Sequence, residues 1–311
     1  MEILDLNSYK TSLRFYGGNA GQKYGIDIDG NTWIVKFPES TRSFRGQQKN
    51  NPHLPSYALS PESEYIGSHI YNLLNIPVHE TFLGFRDNKI VVACRDFTEN
   101  TKTLIEFKAI KNTMSDDDMV TESSDDRSGG GACLEDVLYT IENAELLQSI
   151  KGVKERFWDM FVVDAFIKNN DRNNANWGLL VDESQNVELA PVYDNGNCLF
   201  NKRNDSLAEK RLSNPESILQ DVIGTNLSFY KTRDGKSIHA FDYMKSGQNR
   251  DCNEAVRRIA KRIDTTAVNS LIDEIPTTAF GLSVLTDNQK SAYKEFLKVS
   301  YEELFKIANM L

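Results

Sequence analysis

Apolar and polar residues alternate in short runs along the first hundred positions, a pattern typical of β-strands. Residues 12–37 contain three such runs, SLRFY, YGIDID and TWIVKF, and the turn residues Gly30 and Asn31 between the last two predict a hairpin. Two further strands are predicted at 78–85 and 89–97. This part of the chain is therefore expected to form a β-sheet.

A different period, with apolar residues three and four positions apart, begins near Pro61 and predicts a helix that ends at Leu74. Ser60 precedes the proline, so we expect Ser60 to cap the helix and Pro61 to occupy its first turn. The predicted apolar face comprises Ile66, Ile70, Leu73 and Leu74.

The segment Ser115–Gly131 (SDDDMVTESSDDRSGGG) interrupts the pattern with acidic, serine and glycine residues and has almost nothing to bury. It predicts a mobile, solvated insertion. A regulatory, phosphorylated segment is the functional alternative.

After this segment the pattern becomes helical, at 134–143, 154–168, 253–263, 265–275 and 287–310. No internal repeat is visible. The sequence thus predicts an α+β fold with two lobes: a β-rich N-terminal lobe at 1–100, a hinge and mobile insertion at 101–132, and a mainly helical C-terminal lobe at 133–311. A cleft between two lobes is a usual place for a ligand.

The charge and hydropathy of the chain argue against nucleic acid and membrane as binding partners. The formal net charge is −9, which gives no overall basic field, so direct nucleic-acid binding is not expected. No run approaches the roughly 18 apolar residues of a membrane span, and the N-terminus is not a signal peptide, so we expect a soluble, cytoplasmic protein. The four cysteines and four histidines are dispersed, and their spacing predicts no zinc site.

The most informative stretch is 169–200 (NNDRNNANWGLLVDESQNVELAPVYDNGNCLF). A strongly apolar helix ends before it, and the polar loop from Asp171 to Asn176 follows. Two apolar runs, 177–181 and 187–192, predict an antiparallel hairpin. If the turn is centred on Gln185, Asn176 lies opposite Asp194, and Asp171 lies on the loop that enters the same end.

Oxygen ligands in small number are what a nucleotide-bound Mg²⁺ requires, and a nearby carboxylate can accept the proton of an attacking hydroxyl. The spacing D-x-x-x-x-N, followed later by a metal-binding Asp, is the arrangement of protein kinases. Asp171, Asn176 and Asp194 are therefore the candidate catalytic group. Asn- and Asp-rich loops are also common as plain helix ends and turns, which is the structural alternative.

A phosphate-binding element is expected in the first lobe. Residues 16–25 form a glycine-rich turn whose backbone amides could close on phosphates, and the candidate binding residues there are Gly18, Gly21, Gln22 and Lys23. Lys36 lies on the following strand, where it resembles the kinase lysine that binds the α- and β-phosphates and pairs with a helix glutamate. Glu64 is the predicted partner, with Glu62 as the substitute.

Taken in order, GQKYGIDIDGNTWIVKFP, SEYIGSHIYNLLNIPV, CRDF, NNDRNNANWG and LAPVYDNG resemble the HipA-like serine/threonine kinases, and the overall length is similar to that of the compact bacterial cell-translocating kinases. The resemblance spans about Tyr16 to Phe200. It implies a protein-kinase-like fold that uses ATP and Mg²⁺ to phosphorylate Ser or Thr of proteins, including itself.

By motif match, the resemblance makes Asp171 the catalytic base, Asn176 and Asp194 the Mg²⁺ ligands, and Lys36 the phosphate-pairing lysine. It places the four residues of the CRDF motif beside the adenine: Cys94, Arg95, Asp96 and Phe97. The resemblance to translocating kinases also implies that export or delivery into a host cell is possible.

The sequence differs from the family pattern at three points, and the family properties that depend on them are not transferred to this chain. Asn173 stands where the family often has His, and residues 17–25 hold no serine for autophosphorylation. Little precedes Tyr16, where longer members have an extra region, so an antitoxin partner is not carried over. Two other functions remain open, a nucleotide-binding interaction protein without transfer and a small-molecule kinase.

Overall fold

The computed structural model describes residues 1–12, 16, 22–40, 58–99, 101–114 and 131–311. Several predictions fall outside these residues: the middle of the strand at 12–16, the glycines Gly18 and Gly21 and the acidic segment at 115–130. The chain forms two compact units. The first comprises 1–97, 195–221 and 263–299, and the second comprises 98–194, 222–262 and 300–311.

The strands, in chain order, are β1 (Leu4–Asp5), β2 (Lys23–Ile28), β3 (Asn31–Lys36), β4 (Thr81–Arg86), β5 (Lys89–Arg95), β6 (Lys102–Glu106), β7 (Ala132–Cys133), β8 (Gly178–Asp182), β9 (Val187–Leu189), β10 (Leu227–Lys231), β11 (Ser237–His239), β12 (Thr278–Ala279) and β13 (Leu282–Ser283).

The helices are α1 (Ser60–Leu73), α2 (Phe107–Asn112), α3 (Leu134–Asn143), α4 (Glu145–Gln148), α5 (Val153–Ile167), α6 (Asp205–Leu212), α7 (Pro215–Leu219), α8 (Ala240–Ser246), α9 (Arg250–Arg262), α10 (Thr265–Asp273) and α11 (Asp287–Met310), with a π-helical turn at Gln220–Gly224.

A five-stranded sheet in the order β1-β4-β5-β3-β2 forms the centre of the first unit. Its neighbours pair antiparallel except for β1 and β4, which are parallel. Because side chains alternate between the two faces of a strand, one face supplies a closed apolar cluster. Its buried members are Leu6, Ile26, Val35, Phe37, Val91 and Ala93.

The predicted hairpin between β2 and β3 is confirmed, but its turn lies one residue earlier. Ile28 pairs with Asn31, so the two turn residues are Asp29 and Gly30 rather than Gly30 and Asn31. Both have positive φ, 50° and 80°, as the tight hairpin turn with two left-handed residues requires. Asn31 belongs to the strand.

Helix α1 packs against β4 and β5 in the first unit. It begins at Ser60, so Leu59 occupies the N-cap position and the prediction that Ser60 caps the helix is wrong; Pro61 lies in the first turn, as expected. Leu73, predicted to face the core, is 39% exposed, whereas the other predicted apolar positions are buried. Ile66, Ile70 and Leu74 therefore define the packed face.

The second unit is built around α5, which packs against α9. Twelve of the 15 residues of α5 are buried, so the helix is apolar on nearly every side, as its sequence predicts. Aromatic rings extend the packing, with Phe157 in contact with both Trp158 and Trp177.

Strands β8 and β9 form the predicted hairpin, and β6 adds on the other side of β8. The predicted register is wrong by two residues: Val181 pairs with Val187 and Leu179 with Leu189, which centres the turn on Ser184 instead of Gln185. Continuing this register would bring position 192, not Asp194, opposite Asn176. Strand β8 begins after Asn176 and β9 ends before Asp194, so strand pairing does not position these two residues.

The helices predicted near the C-terminus are present as α9, α10 and α11. Asp264 caps α10 by accepting hydrogen bonds from the backbone N–H groups of Thr266 and Ala267. Within the described part of the chain, every helix is too short or too polar to cross a membrane.

Candidate active site

The loop that carries Asp171 and Asn176 begins where α5 ends. Lys168 adopts a left-handed conformation at the C-terminus of this helix, with φ 54°. The N–H group of Asn169 then bonds the carbonyl of Asp164 at 2.7 Å. This sharp helix end directs the following residues into the polar loop.

A buried ion pair holds the loop in place. Arg172 donates from Nε to Oδ2 of Asp164 at 2.9 Å and from Nη2 to Oδ1 at 3.2 Å. Asn169 adds a bond from Nδ2 to Oδ1 of the same carboxylate at 3.0 Å. Asp164 is 5% exposed and Arg172 is 2% exposed, so each charge relies on the other for compensation.

Arg172 also joins the two chain segments that carry the predicted metal ligands. Its Nη1 donates to the carbonyl oxygens of Asn176 and Tyr193. The hydroxyl of Tyr193 donates in turn to the carbonyl of Ala175 at 2.8 Å. The segment that ends at Asn176 and the segment that leads to Asp194 therefore come together through one arginine, not through strand pairing.

The three candidate side chains differ in exposure. Asp171 is exposed, Asn176 is buried and Asp194 is partly exposed. Nδ2 of Asn176 donates to the carbonyl of Asp171 at 2.7 Å, which leaves the amide oxygen as the atom able to bind a cation. Asp194 has φ 60°, a left-handed conformation that aspartate tolerates better than most residues. Carboxylate and amide oxygens suit Mg²⁺.

In the first unit, Lys36 pairs with Glu64 as predicted. Nζ lies 3.1 Å from Oε2; the lysine side chain is 26% exposed, and the glutamate side chain is 2% exposed. The register explains this placement, because Lys36 is the last residue of β3 and lies opposite Val92 of β5, the strand against which α1 packs.

Glu64 is held from two further sides. Its Oε1 lies 3.0 Å from Nε2 of His79 and accepts a hydrogen bond from the backbone N–H of Asn195 at 2.9 Å. Burial alone would raise the pKa of Glu64, but the charge of Lys36 and the hydrogen bonds from His79 and Asn195 outweigh burial and hold this pKa well below its usual range.

Asn195 is the residue directly after Asp194, and two glycines allow it to approach α1. A Cβ at Gly67 would lie 2.9 Å from Cβ of Asn195, and a Cβ at Gly196 would lie 3.1 Å from Oε2 of Glu64. The side chain of Asn195 also donates from Nδ2 to Oγ of Ser68 at 3.0 Å. A larger residue at Gly67 would separate the helix from this segment.

Glu62, the substitute partner considered for Lys36, does not fill that role, because the lysine pairs with Glu64. Its carboxyl is 3% exposed, and burial raises the pKa of Glu62 to about 8. It is therefore mostly protonated at neutral pH.

The other predicted binding residues lie in the same unit. Lys23 is directly opposite Lys36 in the β2–β3 ladder, and the carbonyl of Gln22 accepts a hydrogen bond from the backbone N–H of Phe37 at 3.0 Å. Of the CRDF motif, Cys94 and Asp96 are buried, whereas Arg95 and Phe97 are partly exposed.

Asp96 accepts a hydrogen bond from the hydroxyl of Tyr16 at 2.9 Å, and its N–H bonds the carbonyl of Thr32 at 3.0 Å. Arg95 lies over the ring of Trp33, with 5.8 Å from Cζ to the ring centroid. These contacts fix the backbone of the motif at the end of β5. Whether its residues contact adenine stays a prediction.

Three residues that organise the site were missed from the sequence: Arg172, His79 and Asn195. The arginine and the asparagine each directly follow a candidate residue, so their positions in the two motifs were the available signal. His79 carries no such signal, because it is separated from Glu64 by 15 residues and from the motif at 94–97 by a complete strand.

Comparison with known proteins identifies the relationship. The model of the HipA-like C-terminal domain matches residues 9–271. The chain belongs to this family. It is 34% identical to the serine/threonine-protein kinase CtkA of Helicobacter pylori (strain J99) over 289 residues, which cover 93% of this chain and 80% of that protein.

Solved structures agree with this assignment. The crystal structure of the Helicobacter pylori proinflammatory kinase CtkA matches with a TM-score of 0.85 and 31% identity, covering 99% of this chain and 98% of the other. HipA from the toxin–antitoxin complex of Shewanella oneidensis MR-1 matches with a TM-score of 0.51 and 11% identity, covering 96% and 69%. This second likeness shows the fold alone.

The family expected from the sequence is thus confirmed, as is the fold: an α+β, kinase-like chain with a β-sheet in the N-terminal part and a mainly helical C-terminal part. The chain is a protein kinase by this relationship, and the relative is named a serine/threonine-protein kinase.

Proposed function

We propose that this HipA-family chain is an ATP- and Mg²⁺-dependent protein kinase that transfers the γ-phosphate to serine or threonine of protein substrates, including itself. The observation that carries the proposal is the double attachment of Arg172, which bonds the carbonyls of both Asn176 and Tyr193. It fixes the residue proposed to bind metal and the residue just before Asp194 on one rigid, buried support.

In this proposal, Asp171 is the catalytic base. It is exposed, as a group that must meet the hydroxyl of a protein substrate has to be. It accepts the hydroxyl proton as the oxygen attacks the γ-phosphorus, while the bond from this phosphorus to the bridging oxygen breaks and ADP leaves. Asn176 contributes its amide oxygen and Asp194 its carboxylate to Mg²⁺. The metal, when bound, neutralises charge on the phosphate oxygens.

Lys36 is proposed to bind the α- and β-phosphates, and Glu64 to hold the lysine side chain in place. The low pKa of Glu64 keeps the carboxylate ionised at neutral pH, so its ion pair with Lys36 is retained at that pH. Gly18, Gly21, Gln22 and Lys23 are proposed to cover the phosphates, and the residues Cys94–Phe97 to lie beside the adenine. These assignments rest on the sequence motifs.

The test uses purified protein, Mg²⁺, ATP labelled at the γ-position and a generic protein substrate. The wild-type chain should label the substrate and itself, and Asp171→Asn should reduce labelling by about 10²–10⁴-fold. Glu183→Gln is the matched control: it removes one exposed carboxylate from the β8–β9 turn, at the end of the hairpin away from Asn176, and should label like wild type.

The same experiment separates the alternatives. Nucleotide binding without label on any acceptor would indicate an interaction protein that lacks transfer. Label found only on small molecules of a cell extract would indicate a small-molecule kinase. Transfer by Asp171→Asn at the wild-type rate would contradict the assignment of the base.

A further inference from the structure

Three buried side chains of the first unit face one another beside Lys36: the carboxylate of Glu64, Nε2 of His79 and Sγ of Cys94. Their ligand atoms all lie within 4.8 Å of one another. Each residue is at most 4% exposed. Among the described residues, no second group of three or more His, Cys, Asp or Glu side chains has this spacing.

The sheet register explains why residues so far apart in sequence meet here. Cys94 of β5 lies between Ile34 of β3 and Thr81 of β4. Since side chains alternate along a strand, Cys94 shares its face of the sheet with Lys36, two residues after Ile34. Helix α1 packs on β4 and β5 and contributes Glu64. His79 precedes β4 by two residues.

The spacing of the three ligand atoms is close to the spacing of ligands around a tetrahedral ion. Zn²⁺ bonds of 2.0–2.3 Å imply that neighbouring ligand atoms are about 3.3–3.8 Å apart. His79 Nε2 is 3.0 Å from Glu64 Oε1 and 3.1 Å from Oγ of Ser68, and Sγ of Cys94 lies within 4.8 Å of the other two ligand atoms. Side-chain movements of about 1 Å would therefore bring the three ligand atoms to the spacing that zinc requires. Ser68 or a water could occupy the fourth position.

We propose that Glu64, His79 and Cys94 form a zinc-binding site that competes with Lys36 for Glu64. On binding, the thiol of Cys94 releases its proton to solvent, and His79, whose Nε2–H faces Glu64 in the zinc-free protein, changes to the neutral tautomer that carries its proton on Nδ1, so that Nε2 presents its lone pair to the ion. Two negative ligands then balance the two positive charges of the ion. The ammonium group of Lys36, which balances Glu64 in the zinc-free protein, is displaced by repulsion.

The ligand set also defines which ions bind. Sulfur and imidazole favour Zn²⁺ and disfavour Mg²⁺, which prefers oxygen. Excess Mg²⁺ at the proposed catalytic residues should therefore not displace zinc here. The dispersed spacing of cysteines and histidines, which predicted no zinc site, does not reveal this group because a helix, a strand and the loop before β4 assemble it.

The consequence for activity rests on the proposed function. If Lys36 binds the phosphates and Glu64 positions it, zinc at this cluster inhibits the kinase. The metal site is tested by direct measurement of metal binding. Inhibition of the kinase is tested separately by measuring reaction rates.

Binding is tested with Co²⁺ as a spectroscopic probe, on the untagged full-length protein after treatment with a chelator. Wild type should bind one Co²⁺ with a thiolate-to-cobalt charge-transfer band that disappears when Zn²⁺ is added. Cys94→Ser should lose the band, and Cys133→Ser, which removes a partly exposed cysteine outside the cluster, should keep it.

His79→Gln provides a second variant should Cys94→Ser fail to fold, as checked by circular dichroism. It should weaken Co²⁺ binding by at least about tenfold. Absence of the band in wild type, or its retention in a folded Cys94→Ser protein, would overturn the zinc site.

Inhibition is then measured as the ratio of kinase rates without and with Zn²⁺, taken within each variant. Wild type and Cys133→Ser should be inhibited at least tenfold more strongly than His79→Gln. Equal inhibition of all variants would contradict the competition with Lys36. A Cys94-dependent band in a protein without kinase activity would support the metal site and remove the proposed function.

Discussion

Arg172 and Asp164 form an ion pair that is almost completely shielded from solvent, with Nε 2.9 Å from Oδ2 and side-chain exposures of 3% and 6%. A buried ion pair adds little to the free energy of unfolding. Removing one partner is nevertheless strongly destabilising, because the other charge then stays buried without compensation. The same arginine holds the loop of Asn176 and the segment of Tyr193. Stability and positioning thus depend on one side chain.

Arg172→Met should lower the free energy of unfolding by about 3–5 kcal/mol, measured by urea denaturation. Arg250→Met is the matched control, because Arg250 forms an exposed pair with Glu254 at 3.0 Å, and such pairs contribute little. Combining Arg172→Met with Asp164→Leu should cost less than Arg172→Met alone. A loss of similar size in the control would contradict the argument.

Lys36→Met should lower kcat/KM for ATP by about 10²-fold, because it removes the proposed phosphate-binding charge while leaving an apolar side chain of similar length. Glu64→Gln should have an effect in the same direction, since it weakens the hold on Lys36. Steady-state labelling with varied ATP measures both.

Glu62→Gln is the control for these two variants. The carboxyl of Glu62 has a pKa of about 8 and is mostly protonated at neutral pH, so the amide replaces it with little change of charge. Activity near wild type is expected. A defect as large as that of Glu64→Gln would contradict the assignment of the supporting role to Glu64 alone.

The buried carboxyl of Glu62 should also make stability depend on pH. Its pKa is raised from 4.5 to about 8 in the folded protein. Between these values the unfolded chain loses the proton while the folded chain keeps it, so the free energy of unfolding falls as pH rises. Below about pH 4.5 the carboxyl makes no difference between the two states.

Wild type should therefore lose stability relative to Glu62→Gln by up to about 1.4 kcal/mol per pH unit within this window. Urea denaturation of both proteins at pH 5, 6.5 and 8 measures the difference. A difference that stays constant over this range would contradict the burial of an isolated carboxyl.

Asp194 combines a functional prediction with a conformational one. Asp194→Asn should remain folded, because asparagine tolerates the left-handed φ of 60°, yet transfer should fall by at least about 10²-fold with the loss of a charged metal ligand. Asp194→Val should additionally destabilise the chain by about 1–2 kcal/mol, since branching at Cβ opposes this conformation. Equal stability of the two variants would count against the backbone argument.

Local patterns predicted the elements well because they depend on neighbouring residues. The β2–β3 hairpin, α3 and the long C-terminal helix all follow from periodicity and turn chemistry. The hairpin register at 178–189 was wrong because the turn could be centred on Ser184 or Gln185 without changing the apolar pattern.

Within the candidate site, only residues that belong to recognisable sequence motifs could be predicted. Lys36 and Glu64 could be paired because one strand and one helix follow in a familiar order. His79 and Asn195 could not be assigned to Glu64, because those contacts depend on tertiary packing, and Arg172 acts through carbonyl groups that every residue possesses.

The bond from Asn195 to Glu64 uses a main-chain N–H. Any amino acid except proline carries that donor, so a substitution that fits this position can retain the bond to Glu64 even though it loses the side-chain bond to Ser68. Diverged relatives could therefore retain this main-chain bond although their residues at this position differ. Substitution by proline would remove the N–H group and reveal a contact that a comparison of residue identities does not.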